Sequence, residues 1–220
     1  MQSTLTPAQV EYIPENYCAP QSLAALFPGR EEAPLQIDLG SGDGAFLLRM
    51  AALHPEENFI GVERLLGRIR KTARKAARAR ACNVRLMRIE SHYFLQYLLP
   101  PASATVVHVM FPDPWPKKRH HNRRLVQPGF LNVAHGALRP GGELRLTTDD
   151  LPYFEHMREV FAPHPGFREE PWSPGDDYPQ TDFERLFRSQ GQPIYRALLR
   201  RVDLPEGVGL PPALWAVDTA

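Results

Sequence analysis

The chain has 220 residues, 43% hydrophobic and 23% charged, with a net charge of +1. That is an ordinary globular composition, long enough to enclose one sizeable core. The two cysteines, Cys18 and Cys82, make neither a disulfide framework nor a CxxC metal spacing, no basic-then-apolar leader opens the chain, and no apolar run approaches the roughly 20 residues of a membrane span. A cytoplasmic protein with no membrane or metal partner is expected.

In chain order, residues 1–34 mix Pro, Gln and Glu and read as an extended N-terminal arm with one short helix near Gln21–Phe27. The core begins with a strand at Leu35–Leu39 that stops at a glycine cluster, followed by a helix over Ala45–Leu53 and a strand over Asn58–Glu63. The next helix, Leu66–Ala81, is expected to bury Leu65, Ile69, Ala73, Ala76 and Ala77 and to leave its cations outside. A third strand spans Asn83–Ile89, a helix lies near Tyr93–Leu98, and the apolar run to Met110 reads as a buried fourth strand over Thr105–Met110. Pro128–Leu138 is helical and stops at Arg139-Pro-Gly-Gly142. Glu143–Thr148 is a strand, Tyr153–Phe161 a helix, and Phe167–Glu170 with Ile194–Val202 a hairpin interrupted by a helix near Asp182–Ser189. Strands alternating with helices imply an α/β fold with a mostly parallel sheet. The body is thus expected over 35–202, with a peripheral Pro/Gly-rich tail over 203–220.

Charge is separated along the chain although it nearly cancels overall. Arg64, Arg68, Arg70, Lys71, Arg74, Lys75, Arg78 and Arg80 follow one another without an acid, and a second basic block runs from Lys117 to Arg124. Arg185, Arg188, Arg196, Arg200 and Arg201 form a looser third group. Such separation can build a phosphate-binding face.

Two segments carry chemistry. Asp38-Leu-Gly40-Ser-Gly42-Asp-Gly44 follows the first strand and opens the first helix, where glycines let a backbone turn sharply beneath a ligand. Gly40, Gly42 and Ala45 also fit GxGxxA, and Glu63 stands near the distance of a ribose-binding acid, so a dinucleotide-dependent oxidoreductase is one reading. The other segment, Phe111-Pro-Asp-Pro-Trp115 with Lys117 to Arg124, ends the fourth strand. It sets a carboxylate between two prolines, then an indole and a block of cations, at the strand end where open α/β sheets collect ligands. That suits a polyanion bearing a flat base. Trp115 serves equally as packing or as a stacking surface; His120 and His121 have no further ligand clustered with them for a metal.

Acids at Asp38, Glu63 and Glu90, together with Leu138-Arg-Pro-Gly-Gly142 before the fifth strand, resemble the class I S-adenosylmethionine-dependent methyltransferases. By that resemblance the fold is Rossmann-like, a mostly parallel seven-stranded sheet with one antiparallel strand and helices on both faces. Asp38, Gly40, Gly42, Gly44, Glu63 and Glu90 would hold the cofactor, Glu63 at the ribose, Glu90 near the adenine and Asp38 at the methionine end. The Pro112-Asp113-Pro114-Trp115 segment with Lys117, His120, Asn122, Arg123 and Arg124, then Thr147-Thr148-Asp149 and Thr181-Asp182-Phe183-Glu184, resembles the bacterial tRNA (guanine-N7)-methyltransferases from about Leu35 to Arg201. The resemblance implies methyl transfer from S-adenosylmethionine to N7 of the variable-loop guanine of tRNA. Asp113 would be catalytic and border the cofactor, and Lys117, Asp149, Thr181, Asp182, Phe183 and Glu184 would bind substrate. Glu90-Ser91 stands where that family more usually has Asp-Ala or Asn-Ala. Asp149 could instead cap the following helix, and Thr181 could form a capping box with Glu184. A non-catalytic RNA-binding module of the same fold is a third reading, and the oligomeric state, monomer or homodimer, stays open.

Overall fold

The computed structural model describes residues 5–175 and 177–210. Strands β1 (Leu35–Leu39), β2 (Asn58–Glu63), β3 (Val84–Arg88), β4 (Ala104–Met110), β5 (Leu138–Thr148), β6 (Phe167–Glu170) and β7 (Tyr195–Arg201) form one sheet in the order β3-β2-β1-β4-β5-β7-β6. All neighbours are parallel except β7, which is antiparallel to both β5 and β6. Every residue of β1, β2 and β4 is buried, as a parallel sheet covered on both faces requires. Burial on both faces suits the largely apolar run of β4, and it also encloses the polar Gln36 and Asp38 that alternate with Leu35, Ile37 and Leu39 in β1.

Two cores flank the sheet. One gathers Ile37, Val107, Phe130, Leu144, Tyr153 and Met157 beneath α6 (Pro128–Ala137) and α7 (Leu151–Phe161). The other gathers Phe46, Met50, Ile60's neighbour Phe59, Ile69 and Ala73 beneath α3 (Ala45–Leu53) and α4 (Leu66–Arg78). The order reverses between β1 and β4, so the helices that follow these strands pack on opposite faces and leave a crevice at the strand ends.

Several local expectations change. The N-terminal segment docks on the body: α1 (Pro7–Val10) buries Val10, and the Tyr12 amide donates to the Leu86 carbonyl at 2.8 Å. Its signal was legible in Thr6-x-x-Gln9, whose Gln9 Oε1 accepts from the Thr6 amide at 2.8 Å. The second short helix, α2 (Leu23–Leu26), lies within the expected span. The helix expected near Tyr93–Leu98 splits into α5 (Ser91–Tyr93) and a π-helical turn over Phe94–Leu98. Helix α4 buries Thr72 in place of Leu65, which is 55% exposed because the residue before the helix still follows the strand end into the crevice. Arg139–Gly142 ends α6 but is already extended as the start of β5. The tail was expected over 203–220; of this, 211–220 lie outside the described residues. Among the described residues no helix is long and apolar enough to cross a membrane.

Candidate active site

A cleft of about 1600 Å³ opens over the C-terminal ends of β1, β2 and β4. Its floor is the glycine turn. The Gly40 and Ser41 amides both donate to the Val62 carbonyl, at 2.8 and 3.0 Å, which folds the chain back over β2. Gly40 has φ of +75°, and a Cβ there would meet nothing within 4 Å, so its bare backbone faces open space in the cleft. Gly44 differs: a Cβ would strike Thr72 Cγ2 at 2.2 Å, so this glycine allows α3 to pack on α4 and does not line the cleft.

Asp38 lies beneath the turn, 3% exposed, and burial followed by the nearby Glu63 charge pushes its carboxyl up to about 7. Glu63 ends β2, and its Oε1 accepts from the Arg64 and Leu65 amides at 2.7 and 2.9 Å. Its Oε2 lies 3.4 Å from the Arg68 guanidinium. Glu90 caps α5 by accepting from the Tyr93 amide at 2.8 Å. These three acids line one side of the cleft. Their carboxylates make this the acceptor-rich end of the cleft, and the missing side chains at Gly40 and Gly42 let a ligand approach the backbone.

Opposite lies the Pro112–Trp115 loop. Phe111 and Trp115 both have positive φ, +53° and +45°. Left-handed backbone at two bulky residues is a strain that the surrounding structure must hold. Three contacts hold it. Asp113 Oδ1 accepts from the Trp115 amide at 3.0 Å, Arg124 Nε donates to the Pro114 carbonyl at 2.9 Å, and the Arg124 guanidinium sits 4.8 Å above the Tyr153 ring. Arg124 is only 4% exposed; the last cation of the basic block is a strut for the loop. The block itself forms a 3-10 turn over Lys118–Arg123, with Arg123 5.1 Å above the Trp115 ring and His120 edge-on to it at 5.7 Å. Trp115 is thus half-buried and braced by Arg123 and the His120 ring.

Asp149 faces the cleft because its neighbour takes the capping role: Asp150 accepts from the Tyr153 amide at 2.7 Å at the start of α7. Burial raises the Asp149 carboxyl from its ordinary range. Helix α8 (Asp182–Ser189) forms the remaining wall. Thr181 is its N-cap, accepting from the Glu184 amide at 2.9 Å. The reciprocal half of a capping box is replaced, because the Glu184 carboxylate turns inward to Arg188 and Arg196.

The cleft therefore brings together Asp38, Gly40, Gly42, Glu63, Glu90, Asp113, Asp149, Thr181, Asp182 and Phe183, while Gly44, Lys117 and Glu184 stand outside its lining. Sequence reasoning missed Leu65, Arg68, Tyr93, Tyr97 and Phe187, which also line it. Leu65 is the one nearest a motif already read, two positions beyond Glu63, although its spacing fits the apolar face of α4. The eight-cation run is partly tied down: Lys71 and Lys75 each reach Asp43 Oδ2 at 3.0 Å. Among the described residues, His54, Glu56 and Glu57 form one group with metal-ligand spacing, located in the loop before β2, at the other end of the strand from the cleft.

A sheet ordered 3-2-1-4-5-7-6 with one reversed strand, a glycine turn after β1, and acids in the last residues of β1 and β2 and just after β3 defines a Rossmann-like methyltransferase of class I. Solved structures share this fold: the 16S rRNA methyltransferase KamB matches with a TM-score of 0.59 at 17% identity over 82% of this chain and 94% of its own. The aminoglycoside resistance methyltransferase NpmB1 matches with a TM-score of 0.54 at 20% identity over 77% and 87%. The family model described as "Putative methyltransferase" matches residues 32–197. The tRNA (guanine-N(7)-)-methyltransferase of Chromohalobacter salexigens is 37% identical over 83% of this chain and 76% of its own length, and that of Nitrosococcus oceani 34% over 90% and 86%. The chain belongs to the tRNA (guanine-N7)-methyltransferase family. The oxidoreductase and the non-catalytic module are not supported: the GxGxxA spacing belongs here to a methyltransferase turn.

Proposed function

We propose that this protein transfers a methyl group from S-adenosylmethionine to N7 of the variable-loop guanine of tRNA. The observation that carries the reading is one continuous cleft that joins the acids of β1–β3 to Asp113 and Asp149, with the cations of the loop after β4 at its rim. Glu63 fits the ribose hydroxyls, since its Oε1 is held by backbone amides while Oε2, which meets the half-exposed Arg68 guanidinium at 3.4 Å, faces the cleft. Glu90 and the exposed Leu65 fit the adenine end, and Asp38 fits the cationic methionine end. When bound, the cofactor supplies an electrophilic methyl on a sulfonium.

Guanine N7 carries an in-plane lone pair and no proton, so the acceptor needs no general base. Catalysis then rests on alignment and on charge. Asp113 and Asp149 are the carboxylates that can accept from the guanine N1–H and amino group, and Asp113 also faces the ring that becomes cationic. Phe183, half exposed and stacked on Phe187, offers a flat surface to the base. Lys117 is exposed outside the cleft, where it can meet a phosphate. An RNA substrate and two exposed free cysteines fit a reducing cytoplasm.

The direct test is methyl transfer from labelled S-adenosylmethionine to unmodified tRNA, followed by nucleoside analysis. 7-Methylguanosine that disappears when the variable-loop guanine is replaced supports the reading; a different labelled nucleoside moves the acceptor, and no transfer rejects the reading.

Cofactor affinity should depend on pH through Asp38. A carboxyl raised to about 7 is largely protonated at pH 6, whereas a cationic ligand favours its ionised form. Affinity therefore falls as pH drops below about 7, and binding at pH 6 releases a proton. Calorimetry in buffers of different ionisation enthalpy measures that proton, and Asp38→Asn should abolish it. Without ligand the sign is the reverse for stability: the native state holds this proton more tightly than the unfolded chain, so stability declines as pH rises from the ordinary carboxyl range through about 7.

Arg70, Arg74 and Arg78 are exposed on α4. If they meet phosphates, replacing all three by Gln reduces the slope of log K against log salt for tRNA binding by about 2–3. An unchanged slope would return them to solvated surface.

A further inference from the structure

Helix α8 carries much of the cleft's outer wall, yet it is short and half bare. Thr181, Asp182, Phe183 and Phe187 line the cleft, while Phe183 and Leu186 are 50% and 49% exposed. One of its attachments is aromatic: Phe187 meets the Phe111 ring at 5.6 Å. The other is ionic and buried. Glu184 is 1% exposed, and its Oε1 accepts from Arg196 of β7 and, at 2.8 Å, from Arg188 one turn along the helix. The two arginines are unequal. The Arg188 side chain is 48% accessible and solvent-screened, whereas that of Arg196 is 12% accessible. Arg196 is held from two further directions: it pairs in register with Thr147 on β5, two residues before Asp149, and its guanidinium lies 6.0 Å from the Trp172 ring.

We infer that Glu184 and Arg196 form a positioning pair that hangs α8 on the sheet at the RNA-facing mouth of the cleft, and that Glu184 acts on the RNA through the helix without touching it. The inference rests on the methyltransferase reading above and assigns a role to Arg196, which no motif marks. A carboxylate so deeply buried is tolerated because its partner is fixed. Removing only the partner leaves an uncompensated buried charge, whereas neutralising both groups removes the penalty. The strain should be released by lifting α8, a small unit with a half-exposed face, before the sheet is disturbed. Cofactor binding depends on the turn and acids of β1–β3 and should not change.

The test is a double-mutant cycle on the full chain, with tRNA methylation kinetics and cofactor calorimetry as separate readouts. Arg196→Met should lower kcat/KM for tRNA by about tenfold or more, mainly through KM, with cofactor Kd within about twofold of wild type. Glu184→Gln, which keeps an acceptor for Arg196, should stay within about threefold of wild type, and the double variant should recover to about the same level. If Glu184→Gln alone is as impaired as Arg196→Met and the double variant does not recover, Glu184 touches the RNA and the inference fails. Unchanged tRNA kinetics in Arg196→Met, or loss of cofactor binding with it, also overturns it. Should Arg196→Met fail to fold, Glu184→Gln still decides between direct contact and positioning. Failure of wild-type protein to make 7-methylguanosine would instead reject the underlying reading.

Discussion

Asp113→Ala is expected to lower the single-turnover rate of methyl transfer by about 10²–10³-fold, the range found when one preorganised electrostatic group is removed from a reacting centre. Alanine deletes two things at once. It removes the charge proposed to face the acceptor base, and it removes the acceptor for the Trp115 amide that braces a loop with left-handed residues at both ends. Asp113→Asn separates them. Asparagine's side-chain oxygen can still accept from the Trp115 amide, so the loop persists, but the negative charge is gone. If Asn is as slow as Ala at saturating tRNA and cofactor, charge or a carboxylate-specific guanine contact carries the rate. If Asn is near wild type, Asp113 is a turn residue and the catalytic assignment falls. Cofactor affinity should change much less than the rate, because Glu63 and the glycine turn lie across the cleft.

The second large effect is expected at Glu63, in cofactor binding alone. A hydrogen bond to a charged group contributes about 1.5–3 kcal/mol, so losing the proposed ribose contact should weaken binding by about 10- to 150-fold. Glu63→Ala also frees the Arg64 and Leu65 amides, so Leu65, at the proposed adenine end, should shift and add to the loss. Glu63→Gln can keep those amides satisfied through Oε1 and should be milder. Calorimetry with S-adenosylmethionine and with its demethylated product reads both, and tRNA binding in the absence of cofactor serves as the control. Equal affinity in wild type and Glu63→Ala would remove Glu63 from the cofactor site.

Much of the fold was legible because the central strands are buried on both faces and bounded by turn chemistry. Leu35–Leu39, Ala45–Leu53, Asn58–Glu63 and Asp182–Ser189 have the bounds read from sequence. Errors fell where tertiary context overrides local pattern. Leu65 fits the apolar face of α4 by spacing but lies in the cleft, since β2 delivers it there before the helix begins. Gly44 belongs by motif to the cofactor turn, yet the approach of Thr72, distant in sequence, makes it a packing residue. Arg124 is indistinguishable in sequence from the other cations of its block, and only the Tyr153 ring and the Pro114 carbonyl turn it inward.

By itself the sequence determined the alternation of strands and helices, the glycine turn, the acids at strand ends and the Pro112–Trp115 loop, because each is set by short-range backbone preference or by a run of residues with one polarity. The folded structure decided which carboxylates face the cleft and which are spent on the fold, through local caps in two cases and a tertiary contact in the third. Asp149 is left for a ligand because Asp150 caps α7, Glu90 is shared between cap and cleft, and Glu184 is buried against Arg196. The caps at Glu90 and Asp150 are local contacts with the amide three residues on, but spacing cannot show the burial of Glu184, since Arg196 reaches it only through the way β7 and α8 meet in space.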